Sequence, residues 1–356
     1  MVEKTKKTLV LDIGTSQCKG VLVNGATLTW ACFDTLGLLT DLNGTVSTGL
    51  RLPMQGLYGK PAKESGAELL RNPDIYSNPM FKFLLFALTA DLLEPLPIWD
   101  TDITVDVVIG FPVNHISRAE EIATYLTSQP WPIERVGGIQ RTVTIQNVLF
   151  KVQPYFAIID QLFALQKGQL TPRRELLANG AILVLHIGSN TVDFFYAPQS
   201  LINCLSGGVM KGTFNLLDRL GALAYAKTHR NVPLYELMYE VFKTGSYQSG
   251  KLMFDFSQEL PGLVHTWIQD HVAPSLDLFL AKLPSEPYAM LLVGGGVIYA
   301  EPFLREEYDV KFKGGVVVTK DDDGRPESVF SVPRGMVKYA LYRQMKEAAR
   351  DEQTAR

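Results

Sequence analysis

The sequence predicts an α/β protein made of two related halves, and three observations support this prediction. A chain of 356 residues is long enough for two domains. Apolar runs typical of strands alternate along the chain with segments of helical periodicity. The segment TLVLDIGTS at residues 8–16 returns as ILVLHIGSN at residues 182–190, which is 174 residues later. A repeat of this length indicates two similar folding units.

The first half opens with three predicted strands. Residues 8–12 and 19–23 are apolar runs, and Asn24-Gly25 is a dipeptide that accepts the positive φ angles of a type I′ turn. Residues 26–33 return as a third strand. The chain is therefore expected to begin with a three-stranded antiparallel sheet.

The remainder of the first half mixes loops, helices and strands. Residues 34–78 are rich in Gly, Pro and Asn and predict loops and an insertion. Ser117 and Glu120 have the spacing of a capping box at a helix start, and the polar stretch 168–179 is the predicted linker. Strands are predicted over residues 102–112 and 143–152, and helices over residues 78–93, 117–128 and 154–167.

Each copy of the repeat places a glycine and small polar residues between two strands. Gly14 and Gly188 permit close approach of the backbone to a ligand, and the N–H groups of such a turn bind anions. A plain hairpin remains the alternative for either turn alone. Two such turns facing one another would hold a polyphosphate from both sides. Side-chain hydrogen-bond donors are available at Thr15, Ser16, Ser189 and Asn190.

Charged residues near the turns suit a phosphate and a metal ion. Asp12 and Asp193 carry hard oxygen ligands, which Mg²⁺ contacts mostly through its waters. Lys19 is within reach of a phosphate as a point charge. An acid and a lysine beside the paired turns favour a phosphate site over plain hairpins.

Two further glycine-rich stretches are candidates for binding. The triplet at 294–296 follows an apolar strand and leaves an open surface for a base or ribose, although a close strand-to-helix turn is the alternative. Residues 206–212 precede an amphipathic helix over residues 214–228, whose N-terminal dipole favours phosphate. The candidate binding residues of that segment are Gly207, Gly208 and Lys211.

Composition and charge disfavour several functional classes. Lys and Arg number 34 and Asp and Glu number 37, so the net charge is −3 and no basic face for direct nucleic-acid binding is indicated. The three cysteines form no CxxC pair, as in proteins of a reducing cytoplasm. The apolar stretches at residues 8–11 and 81–93 are too short for a signal peptide or a membrane helix. We therefore expect a cytoplasmic protein without membrane contact.

These motifs resemble those of the actin, Hsp70 and sugar-kinase superfamily. Residues 12–20, DIGTSQCKG, look like the first phosphate motif of actins, and residues 185–193 are similar to the second. The glycines at 294–296 resemble the adenosine motif, and residues 107–112 resemble the first connecting segment. The motifs follow the order of the family. Chain length and the sequence VPRGMVKY at 332–339 are most similar to the plasmid-partitioning actins of the ParM/StbA group.

The resemblance implies an actin-like fold, with two related ribonuclease-H-like domains flanking a nucleotide cleft. The implied first domain is residues 1–165, with a C-terminal helix at 335–356 packing back on it, and the second is residues 180–334. The implied ligands are ATP or GTP with Mg²⁺, and the implied metal contacts are Asp12 and Asp193. The implied nucleotide-binding residues are Gly14, Thr15, Ser16, Lys19, Gly188, Ser189, Asn190, Gly207, Gly208, Lys211, Gly294, Gly295 and Gly296.

The resemblance also implies a catalytic set, which is Gln153, Asp12, Asp193 and His186. Gln153 precedes a proline, like the family residue that orients the attacking water, and a shift in register would give that place to Tyr155. His186 stands where the second phosphate motif normally has Asp. A neutral imidazole lacks the charge that positions hydrated Mg²⁺, whereas an imidazolium attracts phosphate. His186 would then make hydrolysis slow, pH-sensitive or dependent on Asp12 and Asp193 alone. The alternative is that His186 is a neutral substitute that only forms hydrogen bonds.

The implied function is nucleotide-dependent polymerisation with slow ATP or GTP hydrolysis. The filament would segregate plasmid DNA through a DNA-binding adaptor protein, without direct contact to nucleic acid or membrane. One alternative is a small-molecule kinase of the same superfamily, for which Asp193 is the candidate general base. Another is a nonpolymerising assembly factor that the nucleotide switches.

Overall fold

The computed structural model describes residues 7–35, 37–39, 50–52, 56–58, 79–135, 138–173, 175–233 and 236–354. Most of the predicted loop and insertion at 34–78 lies outside these residues. The strands are β1 (Lys7–Ile13), β2 (Gln17–Asn24), β3 (Thr27–Asp34), β4 (Gly37–Leu39), β5 (Leu50–Leu52), β6 (Gly56–Tyr58), β7 (Asp102–Phe111), β8 (Trp131–Arg135), β9 (Arg141–Val152), β10 (Phe163–Gln166), β11 (Gln169–Pro172), β12 (Ile182–Ile187), β13 (Val192–Ala197), β14 (Leu205–Val209), β15 (Ser246–Ser249), β16 (Leu252–Asp255), β17 (Ala289–Val293) and β18 (Val316–Val318).

Helices connect and cover these strands. The α-helices are α1 (Pro79–Leu93), α2 (Ala119–Thr127), α3 (Gln153–Leu162), α4 (Glu175–Ala178), α5 (Thr213–Thr228), α6 (Phe242–Thr244), α7 (Leu260–Trp267), α8 (Ala273–Leu280), α9 (Val297–Tyr308) and α10 (Ser331–Thr354). Turns of 3₁₀-helix cover Val113–Arg118 and Asp309–Lys311, and π-helical turns cover Leu237–Val241 and Ile268–Val272. Within the described residues, no helix combines the length and apolarity needed to span a bilayer.

The same strand order occurs in the two main sheets. The first sheet has the order β3-β2-β1-β7-β9 followed by β8-β5-β6-β4, and the second has the order β14-β13-β12-β17-β18. Strand β1 is antiparallel to β2 and parallel to β7, just as β12 is antiparallel to β13 and parallel to β17. The sequence repeat is therefore a structural repeat, and the predicted antiparallel start of the chain is confirmed.

Alternation along the strands divides the core into layers. In β1, Leu9 and Leu11 pack in a cluster with α1, whereas Val10 faces the opposite side of the sheet. In β12, Leu183 and Leu185 likewise belong to a cluster with α7 and α9. The opposite faces of both sheets share one further cluster, to which α3 and α10 contribute. These two helices therefore lie between the sheets.

Helix α10 crosses α3 at a glycine. A β-carbon on Gly335 would lie 1.8 Å from the carbonyl oxygen of Phe156, so the two helix backbones touch at this point. Beside the crossing, Lys338 donates to Asp160 at 2.8 Å and to Asp322 at 2.7 Å. Arg334 also binds Asp160, at 2.8 Å. Helix α10 thus joins α3 to the segment that follows β18.

The predicted helix over residues 154–167 is too long. Helix α3 ends at Leu162, and β10 and β11 form a hairpin in place of its last turns and of the start of the predicted linker. Lys167 and Gly168 have φ angles of 50° and 77°, as a type I′ turn requires. The turn at Lys167 and Gly168 decides in favour of the hairpin. Helix α4 occupies part of the remaining linker.

Two local predictions in the first half are also wrong. Asn24 pairs with Thr27, so the turn residues are Gly25 and Ala26, of which only Gly25 has a positive φ, at 58°. This pattern is that of a type II′ turn, with glycine first. Helix α2 starts at Ala119, after a 3₁₀ turn, and its N-cap, Arg118, makes no side-chain capping bond. The predicted capping box is therefore absent.

Candidate functional site

A cavity of about 800 Å³ lies between the two halves. Its volume is in the range of small-molecule sites. Both turns of the repeat line it, together with the 294–296 glycines. The remaining lining side chains include Asp12, Lys19, His115, Gln153, His186, Thr191, Thr213, Met238, Phe242, Tyr299, Glu327 and Phe330.

The two turns of the repeat have matching geometry. Gly14 donates its N–H to Gln17 at 3.1 Å, and Gly188 donates to Thr191 at 2.9 Å. A β-carbon on Gly14 would lie 2.8 Å from the carbonyl oxygen of Gln17, and one on Gly188 would lie 3.3 Å from that of Thr191. The first turn therefore requires glycine, whereas the second turn would accept a β-carbon after a small shift of its neighbours.

The carbonyl oxygens of each turn accept hydrogen bonds from a neighbouring segment of the chain. In the first turn, Thr35 donates its N–H to Ser16 at 2.8 Å and its hydroxyl to Gly14 at 2.6 Å. In the second, the start of α5 plays this part, since Thr213 donates to Gly188 at 3.0 Å and Phe214 to Ser189 at 2.8 Å. The first N–H groups of α5 are thus used within the protein, and they fix the turn instead of being free for a phosphate.

The turns retain backbone donors for a ligand. The N–H groups of Thr15, Ser16 and Ser189 donate no hydrogen bond to another residue of the described ranges, and all three residues line the cavity. Backbone N–H groups of a turn that have no partner within the protein attract anions. The cavity therefore presents anion-binding donors from both halves.

The 294–296 glycines divide into two kinds. Gly294 has a φ of 97°, and a β-carbon there would lie 2.4 Å from the carbonyl oxygen of Ile187. A β-carbon on Gly296 would lie 2.2 Å from a methyl group of the same isoleucine, whereas one on Gly295 would meet nothing within 4 Å. Packing against β12 thus requires the outer two glycines, while Gly295 leaves open space in the cavity.

One end of the cavity is apolar. The rings of Phe242 and Tyr299 lie 4.4 Å apart, and Met238 lines the cavity beside them. Burial raises the pKa of the Tyr299 hydroxyl above its ordinary value. An aromatic wall of this kind suits a flat, apolar group.

Asp12 and Gln153 meet inside the cavity. Gln153 donates its amide to Asp12 at 2.9 Å. Burial raises the pKa of the Asp12 carboxyl, and the charges of Lys19 and His186 and the bond from Gln153 partly offset that rise. Tyr155, the alternative to Gln153, packs 5.9 Å from the ring of Phe156 and does not line the cavity.

Lys19 lines the cavity and binds a segment of the second half. Its ammonium group donates to the carbonyl oxygen of Val329 at 3.0 Å and lies 5.4 Å from the centre of the Phe330 ring. Glu327, in turn, accepts bonds from the N–H groups of Val329 and Phe330 and pairs with Arg334. This segment of the second half is a wall of the site that the sequence motifs do not reveal.

His186 lines the cavity, and Asp193 lies behind it. Asp193 is fully buried, and its carboxylate accepts bonds from the Val113 N–H at 3.0 Å, the Thr191 hydroxyl at 3.0 Å and Nδ1 of His186 at 3.3 Å. Asp193 does not line the cavity. Its predicted roles as a metal contact and as a kinase base are therefore at odds with its position.

Of the two acids predicted to contact Mg²⁺, Asp12 is the one that is placed to bind the waters of a hydrated ion. Asp12 faces the cavity and has one oxygen held by Gln153, which leaves acceptor sites for the waters of an ion. No group of three or more His, Cys, Asp or Glu side chains that would bind a metal directly is found among the described residues. The donor set thus suits a metal that keeps most of its waters.

Three predicted binding residues lie outside the cavity. A β-carbon on Gly208 would lie 2.7 Å from the carboxylate of Asp193, and one on Gly207 would lie 3.1 Å from the ring of Phe279. Packing of β14 explains both glycines. Lys211 is exposed and receives a bond from the Trp267 indole on its carbonyl oxygen.

The fold is known from solved structures, although sequence comparison finds no relative. No protein-family model and no curated protein matches this chain. The archaeal actin homolog Ta0583 superimposes with a TM-score of 0.74 and 16% identity, over 95% of this chain and 99% of that one. The fold is actin-like. This confirms the fold expected from the motifs.

Two bacterial proteins share the actin-like fold. A ParM from Bacillus thuringiensis, solved with AMPPNP, has a TM-score of 0.68 and 15% identity, over 96% of this chain and 100% of that one. A ParM from a 15-stranded filament of Clostridium botulinum has a TM-score of 0.69 and 14% identity, over 94% of this chain and 99% of that one. The superpositions with these two proteins therefore cover 94% to 96% of this chain.

Proposed function

We propose that this chain binds ATP or GTP with Mg²⁺ between its halves, hydrolyses it slowly and polymerises into filaments that segregate plasmid DNA. One observation carries the proposal. Two matching turns line a single cavity from opposite halves and retain N–H donors there. The ParM proteins that share the fold, one solved with AMPPNP and one in a filament, support it.

The triphosphate would lie between the two turns. The N–H groups of Thr15 and Ser16 would bind it from one side and that of Ser189 from the other, while the base would lie along Gly295 and the Phe242 ring. Donors fixed before the ligand arrives lose little entropy on binding. Lys19 would exchange its bond to Val329 for a phosphate oxygen.

Hydrolysis would depend on positioning and electrostatics. When bound, Mg²⁺ would neutralise charge on the phosphates, with Asp12 holding its waters. Gln153, fixed by its bond to Asp12, would orient the attacking water with its free carbonyl oxygen. Backbone donors of both turns would stabilise charge that develops on the γ-phosphate.

Assembly would follow from closure of the cavity. Each half holds one side of the nucleotide, so the γ-phosphate favours the closed arrangement and alters the surface offered to a neighbouring subunit. With a net charge of −3, the chain lacks the basic character of direct DNA-binding proteins. We therefore assign DNA contact to an adaptor protein.

The kinase alternative is less favoured. It requires a carboxylate base beside an acceptor hydroxyl in the cavity. Its candidate, Asp193, is fully buried behind His186 with its oxygens bonded to three internal donors. The filament proposal needs no such base for an acceptor.

Sedimentation and light scattering test this proposal. We expect polymer with Mg²⁺ and either ATP or GTP, disassembly as phosphate is released, and no polymer after EDTA is added. Absence of polymer at every protein and salt concentration would contradict it. Phosphate transfer that needs an added acceptor would favour the kinase, and nucleotide binding by a lasting monomer would favour the switched assembly factor.

A further inference from the structure

His186 and Asp193 form a histidine–carboxylate pair at the floor of the cavity. Nδ1 of His186 lies 3.3 Å from the carboxylate of Asp193, the long end of the hydrogen-bond range. The carboxylate also receives the hydroxyl of Thr191 and the N–H of Val113. Asp193 is 0% exposed, so these bonds fix its orientation.

The bond to Asp193 determines which nitrogen of the imidazole is free. A carboxylate only accepts hydrogen bonds, so Nδ1 of His186 must carry the proton. In the neutral ring, Nε2 then holds the lone pair. Asp193 therefore makes Nε2 of His186 a hydrogen-bond acceptor and a proton acceptor.

The free nitrogen faces the cavity. The ring lies between two glycines, with Cε1 3.7 Å from the β-carbon position of Gly188 and Cδ2 3.0 Å from that of Gly294. Nε2 is bonded to both of these ring carbons, and so it lies on the edge between the glycines. Among the described residues, Nε2 has no hydrogen-bond partner, and His186 lines the cavity with Gln153.

We propose that His186 is the general base of hydrolysis and that Asp193 is its positioning residue. This inference rests on the proposed function. Water held by Gln153 forms the new P–O bond to the γ-phosphorus, and the bond from that phosphorus to the β-phosphate oxygen breaks. The nucleoside diphosphate leaves with the electron pair. The proton of the water passes to Nε2, Asp193 remains a carboxylate, and the imidazole later releases the proton to solvent.

The pair also links the chemistry to the arrangement of the halves. Val113 belongs to the 3₁₀ turn after β7, whereas Asp193 belongs to β13 of the second sheet. One of the three hydrogen bonds that orient Asp193 therefore comes from the first half, whereas those from Thr191 and His186 lie within the second half.

Single-turnover hydrolysis and AMPPNP calorimetry test the base. General-base catalysis contributes about 10²- to 10⁴-fold, so His186→Ala and Asp193→Asn are expected to lower the rate by about 100-fold or more. AMPPNP affinity should stay unchanged in both. Imidazole in solution should restore part of the activity of His186→Ala and none of that of Asp193→Asn. The matched control is His265→Gln, an exposed histidine on α7, which should behave as wild type.

The pH profile gives a second readout. The rate of hydrolysis by the wild type should fall as the pH is lowered, and we call this fall the acid limb of the profile. The acid limb should be absent from the residual activity of His186→Ala. Titratable groups that face the imidazole or share its cavity are Asp193 on β13, Asp12 on β1, Lys19 on β2, His115 in the 3₁₀ turn, Tyr299 on α9 and Glu327 after β18. An Asp12→Asn variant that keeps the acid limb would support assignment of the limb to His186, and one that loses it would count against that assignment.

The outcomes separate this inference from the function on which it rests. Full activity of a folded His186→Ala variant would overturn the base and leave the function intact. If that variant does not fold, Asp193→Asn decides the question in the same way. A wild-type chain that binds AMPPNP but hydrolyses nothing would overturn the base alone, and one that binds no triphosphate would overturn both.

Discussion

Gln153 donates a hydrogen bond of 2.9 Å to Asp12, and this bond joins the start of helix α3 to the end of strand β1 inside the cavity. Burial raises the pKa of Asp12 above its ordinary 3.8. The folded state therefore binds the proton of Asp12 more tightly than the unfolded chain does. The free energy of unfolding falls as the pH rises from the ordinary pKa of Asp12 through its raised pKa in the folded state. The site thus holds a carboxylate that opposes folding at neutral pH.

Asp12→Asn is expected to raise the thermal midpoint of the ligand-free protein at pH 7. Asn keeps an acceptor for Gln153 and removes the buried charge. The difference in thermal midpoint between the variant and the wild type should become smaller as the pH falls towards 3.8, because Asp12 then becomes protonated and neutral. Differential scanning fluorimetry across pH measures this, and a lower midpoint for the variant at neutral pH would contradict it. Triphosphate affinity should fall in the same variant.

Three glycine substitutions separate folding from binding. Gly14→Ala should destabilise the protein by about 1–3 kcal/mol, the usual effect of overpacking, because its β-carbon meets the Gln17 carbonyl at 2.8 Å. Gly188→Ala should have a smaller effect, since the corresponding distance is 3.3 Å. Gly295→Ala should leave stability unchanged and weaken nucleotide binding. Urea denaturation and calorimetry would refute this ranking if Gly295→Ala proved the least stable.

The α3–α10 crossing gives a matched pair of substitutions. Gly335→Ala places a β-carbon 1.8 Å from the Phe156 carbonyl and should destabilise by at least about 1–3 kcal/mol. Gly262→Ala, at an exposed position of helix α7, meets nothing within 4 Å and should stabilise by about 0.5–1 kcal/mol. Equal midpoints in urea for the two variants would show that the helix backbones do not touch as described.

Removal of a buried charge at the α3–α10 crossing should strongly reduce the free energy of unfolding. Lys338 is 1% exposed and pairs with Asp160, which is 0% exposed. Lys338→Met should therefore reduce the free energy of unfolding by about 3–5 kcal/mol, as is typical when one partner of a buried pair is removed. Arg118→Ala, which breaks an exposed pair with Glu121, should change it by less than about 1 kcal/mol. Similar values for the two variants in guanidinium titrations would contradict this prediction.

The repeat is the feature that sequence alone predicts best. Identical apolar positions and one glycine at a spacing of 174 residues identify two hairpins, and the two sheets share their strand order. Periodicity also predicts helices where α1, α2, α3 and α5 lie, and strands where β7 and β9 lie. It fails at residues 163–166, where helical and alternating patterns are both compatible with four residues and a turn further along decides for a hairpin.

The position of Asp193 illustrates what sequence does not determine. The repeat aligns Asp12 with His186, and in each hairpin the residue opposite these two is Lys19 or Asp193. Both members of the first pair line the cavity, whereas His186 alone of the second pair does, and this difference depends on how the halves approach. The wall formed by Glu327 and Phe330 depends on the same approach, and its only sequence signal is the pair of charges at Arg334 and Lys338 on an otherwise apolar helix face.

A structure of the chain with AMPPNP and Mg²⁺ would test most directly whether both glycine turns hold one triphosphate. We predict phosphate oxygens within hydrogen-bond distance of the N–H groups of Thr15 or Ser16 on one side and of Ser189 on the other. Phosphates held by a single turn, or a nucleotide bound outside this cavity, would contradict it.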